Sequence, residues 1–232
     1  MPDLDLKSRL ESVEERIQSA ARRTGRDRSQ ITLVAVTKKF SALRIRDGYQ
    51  CGLRDFGENY VQEFAAKRPE LHDLSGTRFH LIGHLQSNKS ALAVQLFDAI
   101  ETVDSVKLLE RLDRALEETG RRMSVLIELK LAEEASKTGT DPANLPEILK
   151  AAEQCKHVGV AGLMTVPPWS RNPEESRPYF RRLAGLARQY YLPHLSMGMS
   201  NDFEAAIEEG ATIVRVGTAL FGPRPKLANP AS

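Results

Sequence analysis

Two cysteines in 232 residues, Cys51 and Cys155, stand far apart and form no CxxC pattern. That excludes a disulfide scaffold and gives no zinc-site spacing, so a reducing, cytoplasmic setting is the expectation. No run reaches the roughly 18 apolar residues of a membrane span. The opening "MPDLDLKSRLESVEERI" lacks the apolar centre of a secretion signal. Neither sign of charge dominates: 33 Lys and Arg oppose 31 Asp and Glu, for a net +2. They interleave, as in "ESVEERIQSAARR", like a solvated helix surface rather than the clustered basic footprint of a nucleic-acid binder.

What is present is a core-forming composition, 41% hydrophobic and 28% charged. It suits one large domain or two small ones. No linker or low-complexity stretch divides the chain, so one domain over 1–232 is expected, with a helix in 1–25 and a tail at 223–232. Leu6, Leu10, Val13, Ile17 and Ala21 recur at helical spacing before Gly25. Short apolar runs then alternate with helical patterns. The runs are "ITLVAV", "RDFGEN", "RFHLIG", "FDAIETV", "MSVLIEL", "HVGVAGLM", "PHLSM" and "ATIVRVG".

Among the helices, Ser105 is placed to cap a stripe of Leu109, Leu112 and Leu116 that ends at Gly120. Asn172 precedes Pro173 and two glutamates, and Asn201 with Glu204 has the spacing of a capping box. Ser87, in "HLQSNK", reads as the cap of another helix. Alternating strand and helix predicts a parallel sheet, and eight units in this length suit a compact (β/α)8 TIM barrel. A doubly wound open sheet is the alternative.

In a parallel barrel the C-terminal strand ends form the active face. Here they carry Thr37-Lys38-Lys39, Gly57-Glu58-Asn59, Gly83-His84, Glu128, Met164-Thr165, Met197 to Ser200, and Arg215 to Thr218. No metal-ligand spacing appears among them, so no metal centre is expected. Gly217 and Thr218 open a short helical segment after the last strand. "SMGMSND" offers Gly198 and Ser200 one strand earlier. Glycines that let an anion approach, beside helix N–H groups, suit a phosphate. Arg215 lies among apolar residues and must have a partner, Glu128 or a ligand acceptor such as a ring nitrogen. Lys38 and Lys39 face opposite ways if the strand persists, so one can enter the barrel mouth. A desolvated lysine amine forms Schiff bases; two solvated lysines past a strand end would have the same spacing. His80 reads as a hydrogen-bonded core histidine, and Trp169 as a loop residue at the pocket edge.

Six segments, "AVTKKF", "FGENYVQE", "FHLIGHLQSNK", "ASKTG", "GLMTVPP" and "LSMGMSNDFEAAIEEGATIVRVGTALFG", follow one another in order and carry a resemblance that extends over most of the chain, from about Ile31 to Gly222. Together they resemble the YggS/PROSC family of pyridoxal 5′-phosphate (PLP) homeostasis proteins. The resemblance implies a fold like the N-terminal barrel of alanine racemase, with an added N-terminal helix. It implies PLP as cofactor, held as a Schiff base on Lys38. Ser200, Gly217 and Thr218 match phosphate-binding positions, Arg215 the arginine near the pyridine nitrogen, and Asn59 a residue of the pocket. Lys130 stands where the family often has asparagine. The implied role is intracellular PLP homeostasis or delivery to PLP-dependent apo-enzymes, as a cytoplasmic monomer without robust catalysis. An arginine partner keeps the pyridine nitrogen unprotonated and weakens the electron sink. The chain ends ten residues past Gly222, so the second domain of a racemase is not expected. The alternatives are a weak amino-acid racemase, with Tyr60 or His84 as second proton donor, and an aldolase-type barrel acting on a phosphorylated substrate through Lys38.

Overall fold

The computed structural model describes residues 4–132 and 138–223. Its eight strands are β1 (Thr32–Val36), β2 (Asp55–Glu58), β3 (Arg78–Leu81), β4 (Ala99–Val103), β5 (Met123–Glu128), β6 (Val158–Met164), β7 (His194–Met199) and β8 (Ile213–Val216). One lies in each expected run. Neighbours pair in parallel in chain order. β8 returns to β1 with Val34 opposite Arg215 and Ala35 opposite Val216, which closes the barrel and removes the open-sheet alternative.

Alternation along each strand decides what sits where. Leu33 and Ala35 of β1, Phe56 of β2, and Phe79 and Leu81 of β3 join the core beneath the helices. The intervening positions Val34, Gly57, His80, Ser196 and Arg215 turn into the barrel. The helices are α1 (Leu4–Arg23), α2 (Ala42–Gln50), α3 (Val61–Lys67), α4 (Ser90–Leu96), α5 (Val106–Thr119), α6 (Leu145–Ala152), α7 (Arg177–Gln189), α8 (Phe203–Glu208) and the short α9 (Thr218–Phe221). Phe64 of α3 sits 4.7 Å from Phe79 and 4.9 Å from Phe97, ring centre to ring centre. All three rings are buried, and each contributes about 1.5–3 kcal/mol by leaving water.

The α1 stripe is buried as its spacing predicts, and it packs against α8 and α9. Arg16 of α1 grips both carboxylate oxygens of Glu204 at 3.2 and 2.7 Å, with its guanidinium 4.4 Å over the Phe203 ring. Ser105 caps α5 by accepting the Leu108 N–H, and Gly120 ends it at φ +65°. Asn172 accepts the Glu174 N–H, but of a 3-10 turn leading into α7.

Two capping expectations are corrected. Asn201 donates instead to the Ser170 carbonyl, and Glu204 is engaged by Arg16. The Asp202 carboxylate folds back onto the Met199 N–H. Ser87 opens a 3-10 turn rather than a helix; α4 starts at Ser90, whose hydroxyl bonds the Ser87 carbonyl. Among the described residues no helix is long and apolar enough to cross a membrane. Cys51 and Cys155 are half-buried.

Candidate functional site

A cavity of about 860 Å³ opens at the C-terminal ends of the strands. Lys38, Asn59, Ser200, Arg215, Gly217 and Thr218, singled out at the ends of four strands, all line it. So do Tyr60, His84, Glu128 and Trp169.

Lys38 lies past the end of β1, on a turn fastened from both sides. The Thr37 N–H donates to the Gly57 carbonyl at 2.9 Å, and its hydroxyl donates to Glu58 at 2.8 Å. Lys67 of α3 donates to the Thr37 carbonyl at 3.2 Å and to Glu58 at 2.9 Å. It also pairs with Glu63 at 2.7 Å. Glu63 in turn accepts the Lys39 N–H at 2.6 Å. Burial raises the Glu58 pKa above the usual carboxylate range, and Lys67 only partly offsets it. β1 stops at Val36, and Lys39 takes φ +65°. The two lysines do part, one to the cavity and one to solvent, but a left-handed turn separates them rather than strand alternation.

At the other wall, the Ser200 hydroxyl accepts the N–H groups of Gly217 and Ala219, both at 3.3 Å. These amides open α9, where N–H groups lack partners within the helix. A hydroxyl, main-chain N–H groups and an adjoining open volume form a donor set suited to an anion. Gly198 has a different role from the one expected. At φ +92° it carries β7 onto α8, where a Cβ would lie 2.6 Å from the Ala206 Cβ and 2.8 Å from the Phe203 Cα. Gly83 is similarly constrained: a Cβ there would meet the Asn59 carbonyl oxygen at 2.3 Å. Its absence lets the ends of β2 and β3 close together behind Asn59.

Arg215 is 4% exposed. One guanidinium nitrogen donates to the Ser196 hydroxyl at 2.5 Å and the other to the Thr165 carbonyl at 2.8 Å. Burial lowers its pKa, opposed by the charges of Glu101, Glu128 and Asp202. The expected direct pair with Glu128 is therefore replaced. Glu128 accepts from Thr138 at 2.8 Å, and burial raises its pKa. Two buried oxygens here, Glu128 Oε2 and Asn59 Oδ1, have no hydrogen-bond partner within the protein. Such atoms are costly unless a ligand or water reaches them.

Lys130 does not line the cavity; its N–H bonds the Thr140 carbonyl. Residues 135–137 of "ASKTG" lie outside the described residues. Among the described residues no group of three or more His, Cys, Asp or Glu is arranged for a metal ion. His80 is a hydrogen-bonded core histidine as expected, but its partners, Glu101 at 2.7 Å and Asp55 at 3.0 Å, were not foreseeable. Nor was the Lys67 clamp. The one local signal was His80 itself, a polar ring among the apolar residues of "RFHLIG"; Lys67, beside Arg68 and Glu70, carries none.

The model for "Alanine racemase, N-terminal domain" matches residues 8–225. A pyridoxal phosphate homeostasis protein of Aquifex aeolicus is 45% identical, covering 93% of this chain and 97% of that one. Its namesake from Escherichia coli K12 is 39% identical, covering 95% and 97%. PipY of Synechococcus elongatus, solved with PLP bound, superposes with a TM-score of 0.82 at 40% identity, covering 94% of this chain and all of that one. Alanine racemase of Corynebacterium glutamicum shares the fold at 19% identity and a TM-score of 0.63; the match covers 93% of this chain and 61% of the racemase. The chain belongs to the alanine racemase N-terminal domain family and, within it, to the pyridoxal phosphate homeostasis proteins.

Proposed function

We propose that this chain binds PLP at the barrel mouth and serves intracellular PLP homeostasis. The observation that carries the reading is convergence. An amine (Lys38), an anion-suited donor set (Ser200, Gly217, Thr218) and a buried cation (Arg215) meet one cavity. PLP presents an aldehyde, a phosphate and a ring nitrogen, one for each. When bound, it supplies carbonyl chemistry toward amines and an electron sink. Lys38 provides the amine for the aldehyde, and the Ser200 hydroxyl with the Gly217 and Thr218 segment holds the phosphate. Asn59 contributes its unpartnered oxygen to the pocket.

Arg215 sets the character of the site. A guanidinium only donates and keeps its charge at ordinary pH. Facing a ring nitrogen, it keeps that nitrogen unprotonated, which makes a weak sink. That favours holding and handing on PLP over turnover. PLP-dependent apo-enzymes are the proposed recipients, and a cytoplasmic monomer the proposed form. Tyr60 and His84 in the same cavity support a second reading, a weak amino-acid racemase.

The test of binding is direct. Protein incubated with PLP, reduced with borohydride and mapped by peptide mass should carry the cofactor on Lys38. Modification of Lys39 instead, or of no lysine, would overturn the assignment. Racemisation across a panel of amino acids at rates near those of a dedicated racemase would overturn the carrier reading.

A further inference from the structure

Resting on that PLP reading, we propose that His80 is a positioning residue for the cofactor site. Acting through Glu101 and Ser196, it holds the Arg215 guanidinium in the orientation that faces the cavity.

The argument is a line of hydrogen bonds through the barrel interior, built from alternate positions of β2, β3, β4, β7 and β8. Arg215 donates to the Ser196 hydroxyl at 2.5 Å. Having accepted, that hydroxyl donates to Glu101 Oε2, again at 2.5 Å. Glu101 Oε1 faces His80 Nδ1 at 2.7 Å, and His80 Nε2 faces Asp55 at 3.0 Å. Arg78 pairs with Asp55 at 2.8 Å, at the exposed end of the line.

Arginine cannot accept, so the Ser196 oxygen accepts from it and the hydroxyl donates to Glu101. Burial pushes the Glu101 pKa up, but His80, Arg215 and the Ser196 hydroxyl outweigh it and hold the carboxyl below its usual range, so Glu101 accepts as an anion at both oxygens. A histidine between two carboxylates satisfies both only when both ring nitrogens carry protons. The charges therefore alternate along the line: Arg78 and His80 positive, Asp55 and Glu101 negative, Arg215 positive at the cavity. Glu101 is 1% exposed and His80 6%. An ionised carboxylate at that depth needs a compensating cation. His80 supplies one on the side away from the ligand. Arg215 is thereby left with donors for the cavity instead of being drawn wholly onto Glu101. Glu128 and Asp202 are the other acidic groups that bear on Arg215, but its guanidinium hydrogen-bonds Ser196 and Thr165 instead.

Full-length protein loaded with PLP labelled with 15N in the ring tests this. Wild type, Ser196→Ala, His80→Gln and the control Ser176→Ala, a buried serine outside the line, are compared. Three readouts are taken: covalent loading, PLP affinity by equilibrium dialysis, and ring-nitrogen protonation by NMR across pH. Wild type should load with an unprotonated ring nitrogen. Ser196→Ala should still load through Lys38, bind PLP about tenfold more weakly for the lost charge-assisted bond, and let the nitrogen take up a proton nearer neutrality. His80→Gln should move the same way, and if it does not fold, Glu101→Gln, which removes the carboxylate through which His80 acts but keeps Ser196 and Arg215, carries the test. Variants matching wild type in affinity and protonation would overturn the positioning role and leave PLP binding standing. The same change in Ser176→Ala would overturn it as general loosening. Failure of wild type itself to load would overturn the PLP reading, and this inference with it.

Discussion

Arg215 reaches the cavity from inside the barrel on β8, its guanidinium gripped by Ser196 and Thr165. Lys38 reaches the same cavity from a turn past β1 that is gripped outside the barrel: Glu63 and Lys67 hold the main chain of Lys39 and Thr37, and Glu58 the Thr37 hydroxyl. One residue is fixed at its head, the other at its root. The difference fits the chemistry proposed for each. A donor that must point at a ring nitrogen benefits from a rigid planar fork. An amine that must make and break a bond benefits from a long stem rooted at a fixed place. Each grip includes a carboxylate that a buried cation must compensate, Glu101 with His80 in one and Glu58 with Lys67 in the other.

The sharpest way to separate the two is to remove the lysine. Lys38→Ala should abolish covalent loading altogether, while the phosphate wall and Arg215 keep a weak, reversible affinity measurable by dialysis. Loading that persists on another lysine would mean that the turn was misread. Arg215 variants should behave oppositely, retaining covalent loading while changing ring-nitrogen protonation.

The next largest effect falls on the Lys38 grip. Lys67→Met leaves Glu58 buried without its cation and should cost about 3–5 kcal/mol in urea unfolding near neutral pH. Because the Glu58 pKa is raised in the folded state, its folded form binds a proton more readily than its unfolded form. That contribution is present below the unfolded value of 4.5 and is lost as pH rises through the folded one. The variant should therefore recover part of its stability in acid. A loss independent of pH would show that Lys67 acts by packing rather than by charge.

On the Arg215 side, His80 makes the matching prediction with a different window. Burial opposes its charge, but the bonds to Asp55 and Glu101 prevail and raise its pKa from 6.5 to about 9. Stability from this proton is complete below 6.5 and drains as pH climbs through about 9, by up to about 3 kcal/mol. Asp55 and Glu101, both lowered, add stability above their unfolded values that is lost as pH falls. His80→Gln should flatten the alkaline limb. An unchanged limb would place the alkaline titration elsewhere.

How far these two grips were legible differs for a physical reason. The eight strands, the α1 stripe and the Ser105 cap follow from local periodicity and capping chemistry, which one segment carries by itself. The six site residues were named on strand-end glycines, two lysines, a buried arginine and a family resemblance. The barrel then gathers strand ends into one mouth, so residues at the ends of correctly placed strands come together. The grips depend on register between strands and on which helix covers which strand end. His80, Glu101 and Ser196 belong to three strands, and nothing in "RFHLIG", "FDAIETV" or "PHLSM" taken singly says that they meet. Glu204 was misread for the same reason: its spacing from Asn201 is local, whereas its partner Arg16 is 188 residues away.

The smallest expected effect lies at Lys39, where the two residues of the pair part. Its φ of +65° is a conformation that costs a side-chain-bearing residue of the order of 1 kcal/mol and glycine almost nothing. Glycine also loses more freedom on folding, which offsets part of that relief. Lys39→Gly should therefore leave stability unchanged or raise it by less than about 1 kcal/mol, with Lys38 loading intact, since it keeps the N–H that Glu63 accepts. Lys39→Ala should likewise leave loading in place. Lys39→Pro removes that N–H and forces φ negative, so it should unfasten the turn and weaken loading even though Lys38 is present. If glycine and proline behaved alike, the main chain of the turn would not be what places Lys38, and the grip at the root would have to be sought in Thr37 alone.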